Sequence, residues 1–201
     1  MRFLNIFIAS LLILGCSGKS ELDWDEYRSW LGDEGNGIVK SKKSRYVSVS
    51  ARFQPMDYLV FRDASFGEAD TEDLRANYRG TLNFQFEVSA ENNETNLLWL
   101  GLSDYNSYKQ RINELSFHSK EFFKIKVDDQ ELYPQFVHFE GYNELSQRLL
   151  FHVTFEHKEW DQLDPETKLR FTFEDPYWGS GVNHFTYTKK NLTDIPKLII
   201  G

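Results

Sequence analysis

The chain has 201 residues, with 23 Lys and Arg against 31 Asp and Glu, a formal net charge of −8. That length suits one domain burying roughly 70% of its unfolded surface, and the acidic balance excludes an electrostatic drive toward nucleic acid or anionic headgroups. A single cysteine excludes intrachain disulfides, thiol redox pairs and cysteine metal sites, and an aromatic content of 16% suits the pleated, half-buried surfaces of a strand-rich fold.

The amino terminus carries Arg2 and then an apolar run from Phe3 to Leu14, broken only by Asn5 and Ser10. A bilayer takes about 20 apolar residues to cross, so this run reads as a secretory signal. Its end, Ile13-Leu14-Gly15-Cys16, resembles the lipobox of bacterial lipoprotein precursors. The resemblance implies cleavage before Cys16, a diacylglyceryl group on the Cys16 thiol and an acyl chain such as palmitate on the new amino terminus. Several chains anchor stably, at about 0.8 kcal/mol per buried methylene. In this family an aspartate after the cysteine retains the protein in the inner membrane; Ser17 stands there instead, which implies the outer membrane, facing the periplasm or the cell surface. The expected organisation is a signal peptide over 1–15, a lipid-anchored tether over 16–20 and one domain over 21–201.

Ser20-Glu21-Leu22-Asp23 has a capping-box pattern, and Trp24, Tyr27, Trp30 and Leu31 recur at helical spacing before Gly32, predicting an amphipathic helix over 21–31. Its polar face carries acids where a membrane-surface helix carries Lys and Arg, so its aromatic face is expected to pack on the domain. Period-two alternation then predicts strands over 47–53, 82–88, 123–127 and 169–173, with a further strand segment at 58–61 after Pro55. Residues 63–77 read as an acidic loop. Leu97 to Leu102, apolar on both parities, reads as a central strand, and Ser103-Asp104 as the cap of a second helix with Tyr105, Tyr108, Ile112 and Leu115 on one side. Many short strands and few helices predict a mainly β fold, an antiparallel β-sandwich with a short N-terminal amphipathic helix and one further short helix.

One hairpin has a definite expected register. With the turn at 142–146, Val137 faces Phe151 and Phe139 faces Leu149, on a face continued by Val153 and Phe155. The other face carries Phe136, His138, Glu140, Arg148, Leu150 and His152, with Glu140 across from Arg148. Being half apolar, that face requires a cover, for which the N-terminal helix is the candidate.

With the strands placed, "NGIVKSKKS" followed by "VSVSARFQPMDYLVF", and later "DPYWGSG" ahead of "IPKL", are similar to elements of uncharacterised outer-membrane lipoproteins of Bacteroidota. The resemblance spans most of 24–198 and implies compartment and a single-domain architecture, with no activity or catalytic residue attached.

The five histidines, His118, His138, His152, His157 and His184, show no metal-ligand spacing. His138 and His152 are expected as diagonal neighbours about 7–8 Å apart, a pair that could share a metal with Glu140, although solvated or hydrogen-bonded sheet histidines are the commoner outcome. The chain holds no G-x-S-x-G, H-E-x-x-H, P-loop or dinucleotide fingerprint. No catalytic residue, metal or cofactor is therefore assigned, and no enzyme activity is expected.

Asp175-Pro176-Tyr177-Trp178-Gly179-Ser180-Gly181 is the most individual stretch. It forms a loop ahead of the strand segment 182–187, and adjacent aromatics on a rigid loop can anchor a sugar ring or a protein partner. Asp175, Tyr177 and Trp178 are the candidate binding residues; the alternative is that an aromatic folds back over the end of the fold while Asp175 bonds loop amides. The expected role is a lipid-anchored, non-catalytic module engaging another envelope protein, or a surface module for a glycan or small ligand.

Overall fold

The computed structural model describes residues 20–67, 70–92, 96–143 and 147–199. The signal, Cys16 and most of the tether lie outside them. Among the described residues, no helix is long and apolar enough to cross a membrane.

Alternation sets the sheets. Strands β2 (Val39–Lys43), β3 (Val47–Gln54), β4 (Thr81–Ala90), β7 (Phe136–Asn143) and β8 (Arg148–Glu156) form a five-stranded sheet in the order β2-β3-β4-β8-β7. Strands β5 (Phe123–Val127), β6 (Gln130–Leu132), β9 (Lys168–Glu174) and β10 (Val182–Thr188) form a second in the order β10-β9-β5-β6. Every neighbouring pair in both is antiparallel. The two short strands β1 (Glu21–Leu22) and β11 (Lys197–Leu198) pair in parallel and tie the ends of the described chain together.

The alternating apolar residues of the two sheets meet in one continuous buried cluster. Phe84 and Phe86 of β4 sit 4.9 Å from Phe171 and 4.4 Å from Phe173 of β9, and Phe151 of β8 sits 5.6 Å from Phe123 of β5. Each buried Phe contributes about 1.5–3 kcal/mol through area, and favourable ring pairs about 0.5–1.5 kcal/mol more. With no disulfide to help, this ring lattice is the main source of stability.

Helix α1 (Trp24–Gly32) starts later than its sequence pattern suggests, because Glu21 and Leu22 are taken up by β11. Asp23 becomes the cap, its carboxylate accepting from the Glu26 amide at 2.9 Å. Tyr27 and Leu31 turn inward and are buried, so the aromatic face packs on the protein as expected. Helix α4 (Tyr105–Phe117) forms as predicted, with Asp104 capping the amides of Asn106 and Ser107.

Three predicted elements are corrected. The segment 58–61 is not a strand, and 63–77 is not a loop: they fall in helices α2 (Met56–Phe66) and α3 (Thr71–Tyr78). Pro55 ends β3 and supplies the extended residue before α2, and Leu59 and Val60 give it a buried stripe. The acids are helix partners: Asp70 caps α3, Asp57 pairs with Arg75 at 2.6 Å, and Asp63 accepts from Arg62 at 2.7 Å and from the Tyr78 hydroxyl. Nor is 97–102 a central strand; it is a chain of turns. With the short α5 (Lys189–Thr193), five α-helices stand among the described residues where two were expected.

The hairpin of β7 and β8 keeps the predicted faces but not the predicted register. Val137 pairs with Val153 and Phe139 with Phe151, a shift of two residues, and a bulge at Glu140 then sets Gly141 against Leu150. An even shift returns every side chain to the same face. Glu140 bonds His152 at 2.6 Å, and Arg148 reaches Glu87 at 2.9 Å, so the expected Glu140–Arg148 pairing does not form. The cover of that outer face is shared. Helix α2 brings Tyr58 to the same cleft as Arg52, and Arg62 into the field of His152, while Trp24 of α1 stacks on Tyr58 at 5.5 Å and meets the tilted ring of Phe61 at 4.4 Å.

Burial holds the His152 imidazole below its ordinary range, outweighing the Glu140 bond that favours its charged form; Arg62 and His138 push the same way as burial. A folded pKa below the unfolded one means that the unfolded chain binds the proton first as pH falls. Stability from this group is therefore complete above the ordinary histidine range near 6.5 and declines as pH drops through it. Urea unfolding at pH 7.5 and pH 5.5 should show a loss on acidification that His152→Gln reduces.

Candidate interaction surface

The loop between β9 and β10 is organised by Asp175. Its Oδ1 accepts from the amides of Tyr177 and Trp178, both at 2.7 Å, and its Oδ2 from the Ser180 amide at 2.6 Å and hydroxyl at 2.7 Å. Gly179 and Gly181 hold φ of 74° and 69°, the left-handed conformation that glycine adopts without strain.

The loop does not present its two aromatics to solvent. Trp178 is 2% exposed, with its indole N–H donating to the Leu97 carbonyl at 3.0 Å and its ring 6.4 Å from Phe173. Tyr177 is half-buried: its hydroxyl donates to Glu114 Oε2, the Arg111 guanidinium lies 4.7 Å from its ring centroid, and Phe122 meets it edge-on at 6.2 Å. Burial and then the Glu114 bond push the Tyr177 hydroxyl above its ordinary range, while the same bond, with help from Gln110, holds the Glu114 carboxyl below its own. Asp175 bonds loop amides, as the second reading of this stretch anticipated.

Arg111 explains the turns at 97–102. It is buried at 6% exposure, and its Nη1 donates to the carbonyls of Leu97 at 3.3 Å, Leu98 at 3.1 Å and Leu100 at 2.8 Å. Backbone carbonyls that a strand would commit to a ladder are gathered onto one guanidinium. Leu97 and Leu98 point inward, and Trp99 is turned outward.

Trp99 is 39% exposed and stacks on Tyr108 at 4.4 Å and 13°; Tyr108 stacks on Tyr105 at 5.9 Å and 19°, and Tyr105 is itself 62% exposed. Lys109 Nζ lies 5.1 Å from the Tyr105 ring. Tyr105 and Tyr108 share a face of α4 through their i, i+3 spacing, and the Trp99 turn is fixed by Trp99 N–H donating to the Asn96 carbonyl at 3.0 Å and Leu102 N–H to the Trp99 carbonyl at 2.9 Å. Trp99 and Tyr105 are thus exposed beside the loop whose own Trp178 is buried. Sequence reasoning set Tyr105 and Tyr108 on one side of a helix and took Trp99 into a central strand; the available signal was Asn96 and Gly101, turn residues flanking the apolar run 97–100. The surface is preorganised for noncovalent contact: flat rings held on a rigid turn and helix, with little side-chain entropy left to lose on binding.

Trp99→Ala with Tyr105→Ala removes two stacked ring contacts and should cost only about 1–3 kcal/mol, leaving a folded protein by circular dichroism.

The histidines do not converge. His138 and His152 are direct rather than diagonal partners, with rings 6.3 Å apart. His118 caps the end of α4, His157 is buried against Trp160 at 6.1 Å, and His184 meets the Thr172 hydroxyl at 3.0 Å. Among the described residues, no group of three or more His, Cys, Asp or Glu side chains is placed to hold a metal ion.

No protein-family model matches the chain, and no curated protein matches it by sequence. Two solved structures align with it. One is a novel protein of unknown function from Burkholderia pseudomallei, with a TM-score of 0.37 and 9% identity over 87% of this chain and 94% of that one. The other is a DUF4426 family protein from Pseudomonas aeruginosa, with a TM-score of 0.37 and 8% identity over 76% of this chain and 94% of that one. At these values both are distant likenesses, and they bring neither a family nor an activity to this chain.

Proposed function

We propose that the chain is a lipid-anchored, non-catalytic envelope module that engages another envelope protein through the Trp99–Tyr108–Tyr105 surface. The observation that carries this reading is the stacked, partly exposed aromatic run, held in place by Arg111 and the Trp178 loop. Aromatic side chains on rigid supports are the residues that most often dominate binding energy at protein interfaces. The domain that carries them is a single antiparallel β-sandwich over 21–201, a reading supported by the ring contacts between the two sheets.

The anchor is Cys16, after removal of 1–15, and it holds the domain at the outer membrane. The lipobox-like end of the signal supports this. Metabolic labelling with an alkyne analogue of palmitate should mark the wild-type protein and not Cys16→Ala, which should also leave the membrane fraction. Labelling that persists in Cys16→Ala contradicts the anchor.

A second reading is a glycan-binding module, favoured by the outward-turned ring of Trp99, since sugar rings stack on such faces. Titration with envelope oligosaccharides should then quench tryptophan emission in the wild type and not in Trp99→Ala; flat titrations across the panel dismiss it.

A further inference from the structure

The outer face of the five-stranded sheet carries a second feature, independent of the aromatic surface and of the lipid. Register aligns Val39, Arg52, Gln85, His152 and His138 in one row across all five strands. Three other arginines of this face and of the helices over it are matched by acids, Arg148 with Glu87 at 2.9 Å, Arg62 with Asp63 at 2.7 Å and Arg75 with Asp57 at 2.6 Å, while Arg28 of α1 lies 5.9 Å from the Trp24 ring centroid. Arg52 differs. It is half-buried and hydrogen-bonded to the Gln85 side-chain oxygen, and among the described residues no carboxylate lies within ion-pairing distance of it. One neutral amide oxygen engages a minority of the five donors of a guanidinium. In a chain with 31 acids, a half-buried arginine left with donors to spare invites an acid from outside.

Arg52 also stands where two open clefts meet. The smaller, of about 190 Å³, is walled by Ser50, Gln85 and the Arg148–Glu87 pair. The larger, of about 410 Å³, is walled by Asp25, Arg28 and Ser29 of α1 and Tyr58 of α2. The larger volume falls in the range of roughly 300–1,000 Å³ typical of small-molecule sites.

We propose that Arg52 is the receptor of a small anionic ligand, a carboxylate or phosphate ester, whose oxyanion its guanidinium grips. The planar fork suits two oxygens at once, which a lysine ammonium does not. Arg28 adds positive charge from the larger cleft, the charge of Arg148 being answered by Glu87; the Ser50 hydroxyl is a further donor, and the Tyr58 ring walls the larger cleft, where the body of the ligand lies.

The test is titration calorimetry on the full chain in detergent with succinate and with inorganic phosphate, each against sodium chloride at matched ionic strength. Saturable binding of at least one oxyanion is expected, with phosphate or succinate alone identifying the class. Arg52→Gln should weaken it about tenfold or more, and Trp99→Ala should leave it unchanged. Absence of saturable binding by either oxyanion, or equal affinity in the wild type and Arg52→Gln, overturns the proposal. Should Arg52→Gln fail to fold, Arg52→Lys decides: it keeps the charge and loses the fork, so several-fold weaker binding supports the assignment and unchanged affinity overturns it.

Discussion

Trp178→Ala is expected to lower the free energy of unfolding by about 3–5 kcal/mol, the range for emptying a large buried aromatic site. The indole is 2% exposed, its N–H satisfies Leu97, and its ring lies between Phe173 at 6.4 Å and Tyr177 at 5.6 Å. Urea unfolding reads the loss directly. Trp178→Phe fills most of the volume and removes only the indole hydrogen bond, to a carbonyl that Arg111 also reaches at 3.3 Å, so it should cost about 0.5–1.5 kcal/mol from that bond together with a smaller packing loss. A solvent-facing binding tryptophan would behave otherwise, since a change at an exposed site usually stays within about 0.5 kcal/mol. The Ala variant should also loosen the Trp99 turn, because Leu97 is the link between the loop and that turn.

Phe86→Ala should be comparably severe, again about 3–5 kcal/mol, for a different reason. Phe86 is fully buried at the middle of β4 and meets Phe173 at 4.4 Å, Phe123 at 5.2 Å and Phe171 at 5.9 Å, all on the facing sheet, and Phe151 at 6.3 Å on its own. Strands hydrogen-bonded on both sides cannot collapse into the space a ring leaves, so most of the cavity persists. Against a total stability of about 5–15 kcal/mol for a domain of this kind, the variant stands near the edge of folding. Phe66, 87% exposed at the end of α2, is the control: Phe66→Ala should shift stability by no more than about 0.5 kcal/mol.

Elements whose signal lies in their own side-chain pattern were legible in the sequence. Leu82, Phe84, Phe86 and Val88 alternate with polar residues and form β4; Phe123, Ile125 and Val127 form β5; Asp104 with the stripe from Tyr105 to Leu115 forms α4. Residues 58–61 misled because four successive apolar or aromatic side chains satisfy either period, and only the buried pair Leu59 and Val60 with Pro55 ahead of them makes the stretch helical. The segment 63–77 looks like a solvated acidic loop until α2 and α3 are side by side, when Asp63 finds Tyr78 and Arg75 finds Asp57 of the first turn of α2. The β7–β8 register was off by two residues, which the even periodicity concealed: the faces came out right and the partners wrong. Local pattern reports which side a residue faces, not what it meets there.

The candidate surface was half legible for the same reason. The 175–181 stretch was identified as special, with Asp175 read either as a binding residue or as a partner of the loop amides, and the second is what the structure shows. Where Trp178 points, however, depends on Leu97, 81 residues earlier in the chain, and no local pattern carries that contact. Trp99 is the converse, an outward ring inside a run that reads as buried because Leu97 and Leu98 are.

The central claim is that the Trp99–Tyr108–Tyr105 surface receives a protein partner at the envelope. It is tested most directly by placing a photo-crosslinking amino acid at position 99, at position 105 and, as a control, at Glu159, an exposed residue after the end of β8, in the full-length protein expressed in its own cells. The account predicts one adduct of the same mass from positions 99 and 105, absent from 159 and lost when Trp99→Ala is combined with the probe at 105. Equal adducts from all three positions, or none from 99 and 105, would contradict it.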